Sequence, residues 1–306
     1  IYVTSRMDYL SSHINNHACC LVTEQAMQIE LPARALVIRV LMDELTRMAS
    51  HMLWWASMAM DIGALTPFFH AFREREMITD IFEDTCGTRL TMDYMVPGGV
   101  LMDLHPGFQN KVHAFIRQFK FKLPEYDELV TDNIIFQNRT KGIGHLSREA
   151  AISYGCTGPV ARASGVSCDV RKHFPYAIYD KLNFEEIIDT GCDSWARYNV
   201  RMQEMRQSLS IIEQLIDNIP EGDFQAKTKA VLKPPKGEFY SKVETARGEL
   251  GVYIVSEGAT TPYRIKFRSP GFSNLSALEH MAVGGKIGDF VAVMGSIDLV
   301  IPDIDR

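Results

Sequence analysis

The chain has no Cys-x-x-Cys pair, no long basic block and no uninterrupted apolar run of membrane-spanning length. Its six cysteines, at 19, 20, 86, 156, 168 and 192, lack Cys/His ligand spacing, so no metal ion or iron-sulfur cluster is expected on this chain alone. Single scattered cysteines suit a reducing compartment, where they act as small core residues. Asp43, Glu44, Arg47 and His51 interrupt the most apolar stretch. That excludes a helix of the roughly 20 apolar residues a bilayer requires, and any membrane role has to come through partners. A formal net charge of -6, with 32 Lys and Arg dispersed along the chain, argues against a nucleic-acid partner. Gly284-Gly285 with Gly288 lacks the spacing of a dinucleotide loop.

What is present is a large core supply: 46% of 306 residues are hydrophobic, enough for one large or two average domains. The fold class expected is α+β, a mainly helical bundle core with a small C-terminal β-containing region. Residues 1–221 read as the helical core, 222–237 as a linker or exposed loop, and 238–306 as a β-hairpin and C-terminal segment packing back on the core. Helices are expected over Tyr9 to Met27, Arg34 to Met60, Arg73 to Glu83, Phe108 to Asn133 (broken at Pro124) and Ser194 to Ile219. In the second, Leu36, Val40, Leu41, Leu45, Met48, Met52 and Trp55 recur at three- and four-residue spacing. Arg73-Glu74-Arg75-Glu76 reads as a solvated or inter-subunit face. Ser147 reads as the N-cap of a short helix. Leu250 to Val255 and Tyr263 to Arg268 read as paired strands.

The last turns of the second helix carry a single acid, Asp61, behind Trp54, Trp55, Met58, Ala59 and Met60. A carboxyl group where water is scarce either neutralises with a raised pKa or finds a partner, which makes it a candidate proton donor. The plainer reading is an acid near a helix C-terminus that bonds into the following turn.

Ser5-Arg6-Met7-Asp8-Tyr9, Pro32-Ala33-Arg34, the run from Met60 through Thr66-Pro67-Phe68-Phe69 with Glu74-Arg75-Glu76, and Pro97-Gly98-Gly99-Val100 form an ordered series. Met205-Arg206-Gln207-Ser208-Leu209, Gly248-Glu249-Leu250-Gly251-Val252-Tyr253, Pro262-Tyr263-Arg264, Ser269-Pro270-Gly271-Phe272 and Asp305-Arg306 continue it. Together they cover nearly the whole chain. The series resembles the hydrogenase-like quinone-site subunit of respiratory complex I, NADH:ubiquinone oxidoreductase.

The resemblance implies a fold like the nickel-iron hydrogenase large subunit. It also implies a cavity, shared with an iron-sulfur small subunit, where ubiquinone as substrate is reduced and protonated with coupled proton translocation. The iron-sulfur cluster would lie in that partner, and NAD and FMN elsewhere in the complex. Other peripheral-arm and membrane-arm subunits would be further partners. Tyr9 matches the quinone-ligating tyrosine, and Asp61 the aspartate that pairs with a family histidine. Val300 matches a cavity-lining position, with Leu53 and Ser57 on the Asp61 face of the helix. Arg162 and Arg171 are candidates to offset charge on a neighbouring cluster, the alternative being solvated surface arginines. His51 reads as a satisfied core histidine more readily than as a site residue.

There are departures from the pattern. The family's N-terminal loop with its quinone-directed histidine would precede Ile1, on the same or a separate polypeptide. Met58 stands where a histidine is expected, Cys168 where a tryptophan is, and the stretch from Pro220 to Pro234 is shorter. The expected location is the matrix side of the mitochondrial inner membrane, with the cytoplasmic face of a bacterial plasma membrane as the alternative. Two other functions compete. A hydrogenase-type large subunit needs two Cys pairs that are absent, and a structural or assembly scaffold would lack a competent quinone site.

Overall fold

The computed structural model describes residues 2–229 and 231–305; Ile1 and Arg306, which enter the sequence reading, lie outside them. A 3-10 turn at Tyr9–Ser11 leads into α1, Ser12–Met27. The central element is α2, Ala33–Asp61, whose apolar stripe is buried from Val40 to Trp55, with Leu36 partly covered. Against it pack α3, Thr66–Cys86, and α5, Ser194–Ile216, while α4, Phe108–Tyr126, packs on α3 and reaches α2 through Tyr126, which stacks on Trp55. The chain is thus α+β with a dominant helical bundle.

α3 begins seven residues earlier than the sequence suggests. Pro67 occupies the first turn, where its missing N–H would have had no intrahelical partner anyway. The charged run on α3 is not wholly solvated either. Glu74 points inward and accepts hydrogen bonds from Tyr126 (3.1 Å) and Gln118 (3.2 Å). α4 carries Pro124 within its last turn and continues as a π-helical turn, Asp127–Thr131. Ser147 caps a six-residue helix, accepting from the Ala150 N–H as expected.

The C-terminal sheet has three antiparallel strands: β1, Gly237–Thr245, β2, Gly248–Ser256, and β3, Arg264–Arg268, in that spatial order. Thr245 pairs with Gly248, so Ala246 and Arg247 form a two-residue turn. Val243, Leu250 and Val252 bury into the main core. Within 222–237 the chain also pairs: Val100 donates to the Phe224 carbonyl and Ala226 to that of Gly98. The apolar segment Phe290 to Met294 belongs to helix α6, Ile287–Ile297, laid across α2 and α5, with one short helical turn, Ile301–Ile304, after it.

Candidate functional site

The end of α2 is set by its backbone. Ala64 N–H bonds to the Ala59 carbonyl (2.8 Å) and Gly63 N–H to that of Met60 (2.9 Å). Gly63 takes φ 108°, the left-handed region open to glycine. This pair of bonds is a Schellman closure, and it stops the helix directly after Asp61. Four-residue spacing then puts Leu53, Ser57 and Asp61 on one face, with Trp54 and Met58 on the adjoining stripe.

That face forms one wall of a cavity of about 330 Å³. A second wall is the Tyr9–Ser11 turn, which Asp8 caps by accepting the Leu10 N–H at 3.2 Å. The third is the segment after α6, which carries Asp298 and Val300. Tyr9, Leu53, Ser57, Asp61 and Val300 therefore all line the same cavity.

Tyr9 is 37% exposed and so is not a core tyrosine. Asp61 is exposed at the mouth, which corrects the expectation of a water-poor setting. Partial burial still raises its carboxyl above the ordinary aspartate range. The negative end of the α2 dipole acts in the same sense. Among the described residues no hydrogen bond or ion pair engages this carboxylate, so it does not tie off the following turn. Val300 is buried and apolar. The cavity thus offers a phenol, a hydroxyl and a carboxyl of raised pKa beside aliphatic walls.

The third wall is held by side-chain donors. Trp54 Nε1–H donates to the Gly295 carbonyl (2.7 Å), and Arg201 donates to those of Ser296 (2.8 Å) and Ile297 (3.2 Å). Arg197 Nε–H donates to Ser296 Oγ (2.8 Å). Two buried guanidiniums at the C-terminal end of α6 complement its dipole. Burial without a paired carboxylate lowers both to about 10.

Other predicted residues lie elsewhere. Arg162 and Arg171 are fully buried, which rules out solvated surface positions, and neither lines the cavity. Arg162 pairs with Glu204 and with Glu244 (2.7 Å). Arg171 pairs with Asp169 (2.7 Å) and Glu44 (3.1 Å). His51 is a core residue, its Nε2 3.1 Å from Glu204. Among the described residues no three His, Cys, Asp or Glu side chains gather as metal ligands.

Sequence reasoning missed Asp298 and did not assign Trp54 or Met58 to the cavity lining. The helical spacing of 54, 57, 58 and 61 contained the signal for the α2 residues. Nothing local marked Asp298.

The sequence profile of the respiratory-chain NADH dehydrogenase 49 Kd subunit family matches residues 61–306. The chain belongs to that family. Among similar proteins, the NADH-quinone oxidoreductase C/D polypeptide of Bacteroides fragilis is 53% identical over 304 residues, 99% of this chain. This chain spans 57% of the length of that relative. One of the corresponding D polypeptides of Solibacter usitatus is 47% identical over 98% of the chain and 81% of its own length. The D polypeptide of the Bacillus anthracis NADH-quinone oxidoreductase is 45% identical over 99% of the chain and 83% of its own length. The family membership therefore extends beyond the profile match, into the segment that carries Tyr9.

Proposed function

We propose that this chain is the quinone-site subunit of a multisubunit NADH:quinone oxidoreductase and that the cavity bounded by Tyr9, Asp61 and Val300 receives the quinone ring. The observation that carries this reading is the meeting of Tyr9, Leu53, Ser57, Asp61 and Val300 at one cavity, from three separate parts of the chain. Two electrons come from an iron-sulfur cluster in an adjacent small subunit, supplied through NAD and FMN chemistry elsewhere in the complex. The chain's own share is positioning and protons.

The Tyr9 phenol donates a hydrogen bond to a quinone carbonyl and a proton as charge grows on that oxygen. Asp61, its pKa raised, either reloads that donor or stabilises the imidazolium of the histidine that the family resemblance pairs with it. Leu53 and Val300 supply apolar contact to the ring, and Ser57 a hydroxyl. Reduction and two protonations convert quinone to quinol, and the complex couples this step to proton translocation. The other partners are the remaining peripheral-arm and the membrane-arm subunits. The bacterial relatives favour the cytoplasmic face of a plasma membrane over the mitochondrial inner membrane. Among the described residues no helix is long and apolar enough to cross a membrane.

The test is Asp61→Asn and Tyr9→Phe in the assembled complex. NADH-driven quinone reduction should fall at least about tenfold, within the range for a lost proton-transfer group, while NADH:ferricyanide reduction persists. Undiminished turnover of a native-length quinone would sink the reading. A parallel loss of both activities would leave the scaffold role.

A further inference from the structure

Arg247 does not line the cavity, yet it touches all three of its walls. It occupies the β1–β2 turn, and its guanidinium is fully buried. Nη1–H donates to Asp8 Oδ2 (2.9 Å) and to Ser50 Oγ (3.0 Å). Nη2–H donates to Asp298 Oδ1 (3.0 Å), and Nε–H to the Asp298 carbonyl (3.1 Å). Asp8 is the cap of the turn that begins with Tyr9. Ser50 lies on α2 one turn before Leu53 and Trp54. Asp298 opens the segment that carries Val300.

We propose that Arg247 is the positioning residue of this cavity, fixing the separation of the Tyr9 turn, α2 and the Val300 segment and so the fit of the ring. The proposal rests on the quinone-site reading above. Only a planar fork with several fixed donors can serve two carboxylates, a hydroxyl and a carbonyl at once; an ammonium is a single point. The Asp298 backbone needs such support. It sits at φ 60°, ψ 61°, a left-handed conformation that costs a non-glycine residue free energy. Arg247 binds both its carbonyl and its carboxylate.

The clamp is itself anchored. The Arg247 carbonyl accepts from Asn274 Nδ2–H (3.2 Å), and its N–H donates to Thr245 Oγ1 (3.2 Å). Gly158, at φ +64°, lies so close that a Cβ there would come within 2.4 Å of the Arg247 carbonyl oxygen. The hairpin tip therefore has little room to drift. A guanidinium held this firmly ties all three walls at one point, where the Trp54–Gly295 bond joins only two of them.

The experiment compares Arg247→Lys and Arg247→Gln with the parent in the intact complex. Ferricyanide reduction serves as the measure of assembly, and kcat and KM are taken with a short-tailed and a native-length quinone. Arg247→Lys should assemble normally and lose about tenfold or more in quinone kcat/KM, the scale of an ångström-level misplacement. Arg247→Gln should lose more, so that lysine gives partial rescue. Parental kcat and KM in both variants at parental ferricyanide activity would overturn the proposal. So would a strictly parallel fall of both activities, which marks a folding role alone. If Arg247→Gln does not assemble, Arg247→Lys decides. Asp61→Asn and Tyr9→Phe run alongside: if they depress quinone reduction and the Arg247 variants do not, the clamp fails and the site stands. If none of the four changes it, the site reading itself has failed.

Discussion

Trp54 donates its indole N–H to the carbonyl of Gly295 at 2.7 Å, binding the last turn of α6 to the helix that ends in Asp61. The Arg201 guanidinium lies 4.5 Å over the same ring. Trp54→Phe keeps most of the apolar volume and deletes the donor. It should cost about 1–2 kcal/mol in chemical denaturation and raise quinone KM more than it lowers ferricyanide reduction.

Glu204 holds two partners in the core, Arg162 and His51. Burial opposes its charge, but the Arg162 charge and the His51 hydrogen bond hold it well below the ordinary carboxylate range. Glu204→Gln should destabilise the chain by about 3–5 kcal/mol, because it strands buried charge. Arg89 binds Glu76, Asp80 and Glu83 at the surface, and Arg89→Ala should cost at most about 1 kcal/mol. Denaturation midpoints of the two variants, measured side by side, check the contrast.

His13 is buried beside Thr46 (2.9 Å) and Cys86, and burial lowers its pKa from 6.5 to about 3. The unfolded chain takes up this proton before the folded chain does. The stabilisation is therefore complete above 6.5 and drains away as pH falls from there toward about 3. The slope is at most about 1.4 kcal/mol per pH unit from this group. Denaturation series at descending pH should show that slope, and His13→Gln should flatten it.

Gly158→Ala puts a Cβ against the Arg247 carbonyl at a positive φ. More than about 1 kcal/mol of stability should be lost. If the hairpin moves, quinone KM should rise as well; an unchanged melting curve would show that the contact relaxes freely.

The α2 apolar stripe was legible because its spacing repeats over 29 residues and local periodicity is the strongest signal a sequence carries. Asp61 stood out as the acid closing an apolar helical stretch, whereas Tyr9 and Val300 were reached through resemblance, since no local pattern relates positions so far apart. β1 was missed: Gly237, Glu238, Ser241 and Lys242 dilute its apolar alternation, and pairing with β2 and packing on α1 hold it in place. The start of α3 was hidden because a proline, Pro67, lies in its first turn. The burial of Arg162 and Arg171 was not legible for a related reason. The partners of Arg162 and Arg171 come from Glu44, Asp169, Glu204 and Glu244, and three of these four lie far along the chain. Arg247 carried no local signal, because the strand before it was missed and with it the hairpin tip.

β3 ends the three-stranded sheet, and its first residues, Arg264, Ile265 and Lys266, are exposed. A terminal strand is a template on which a strand of another molecule can add. Two cations in three residues make that addition unfavourable for a second copy of the same strand, whose own Arg264 and Lys266 would face them. The chain exposes apolar side chains elsewhere, Ile287 and Phe69 among them. Charge on this rim lowers the risk that copies of the chain polymerise through their sheets.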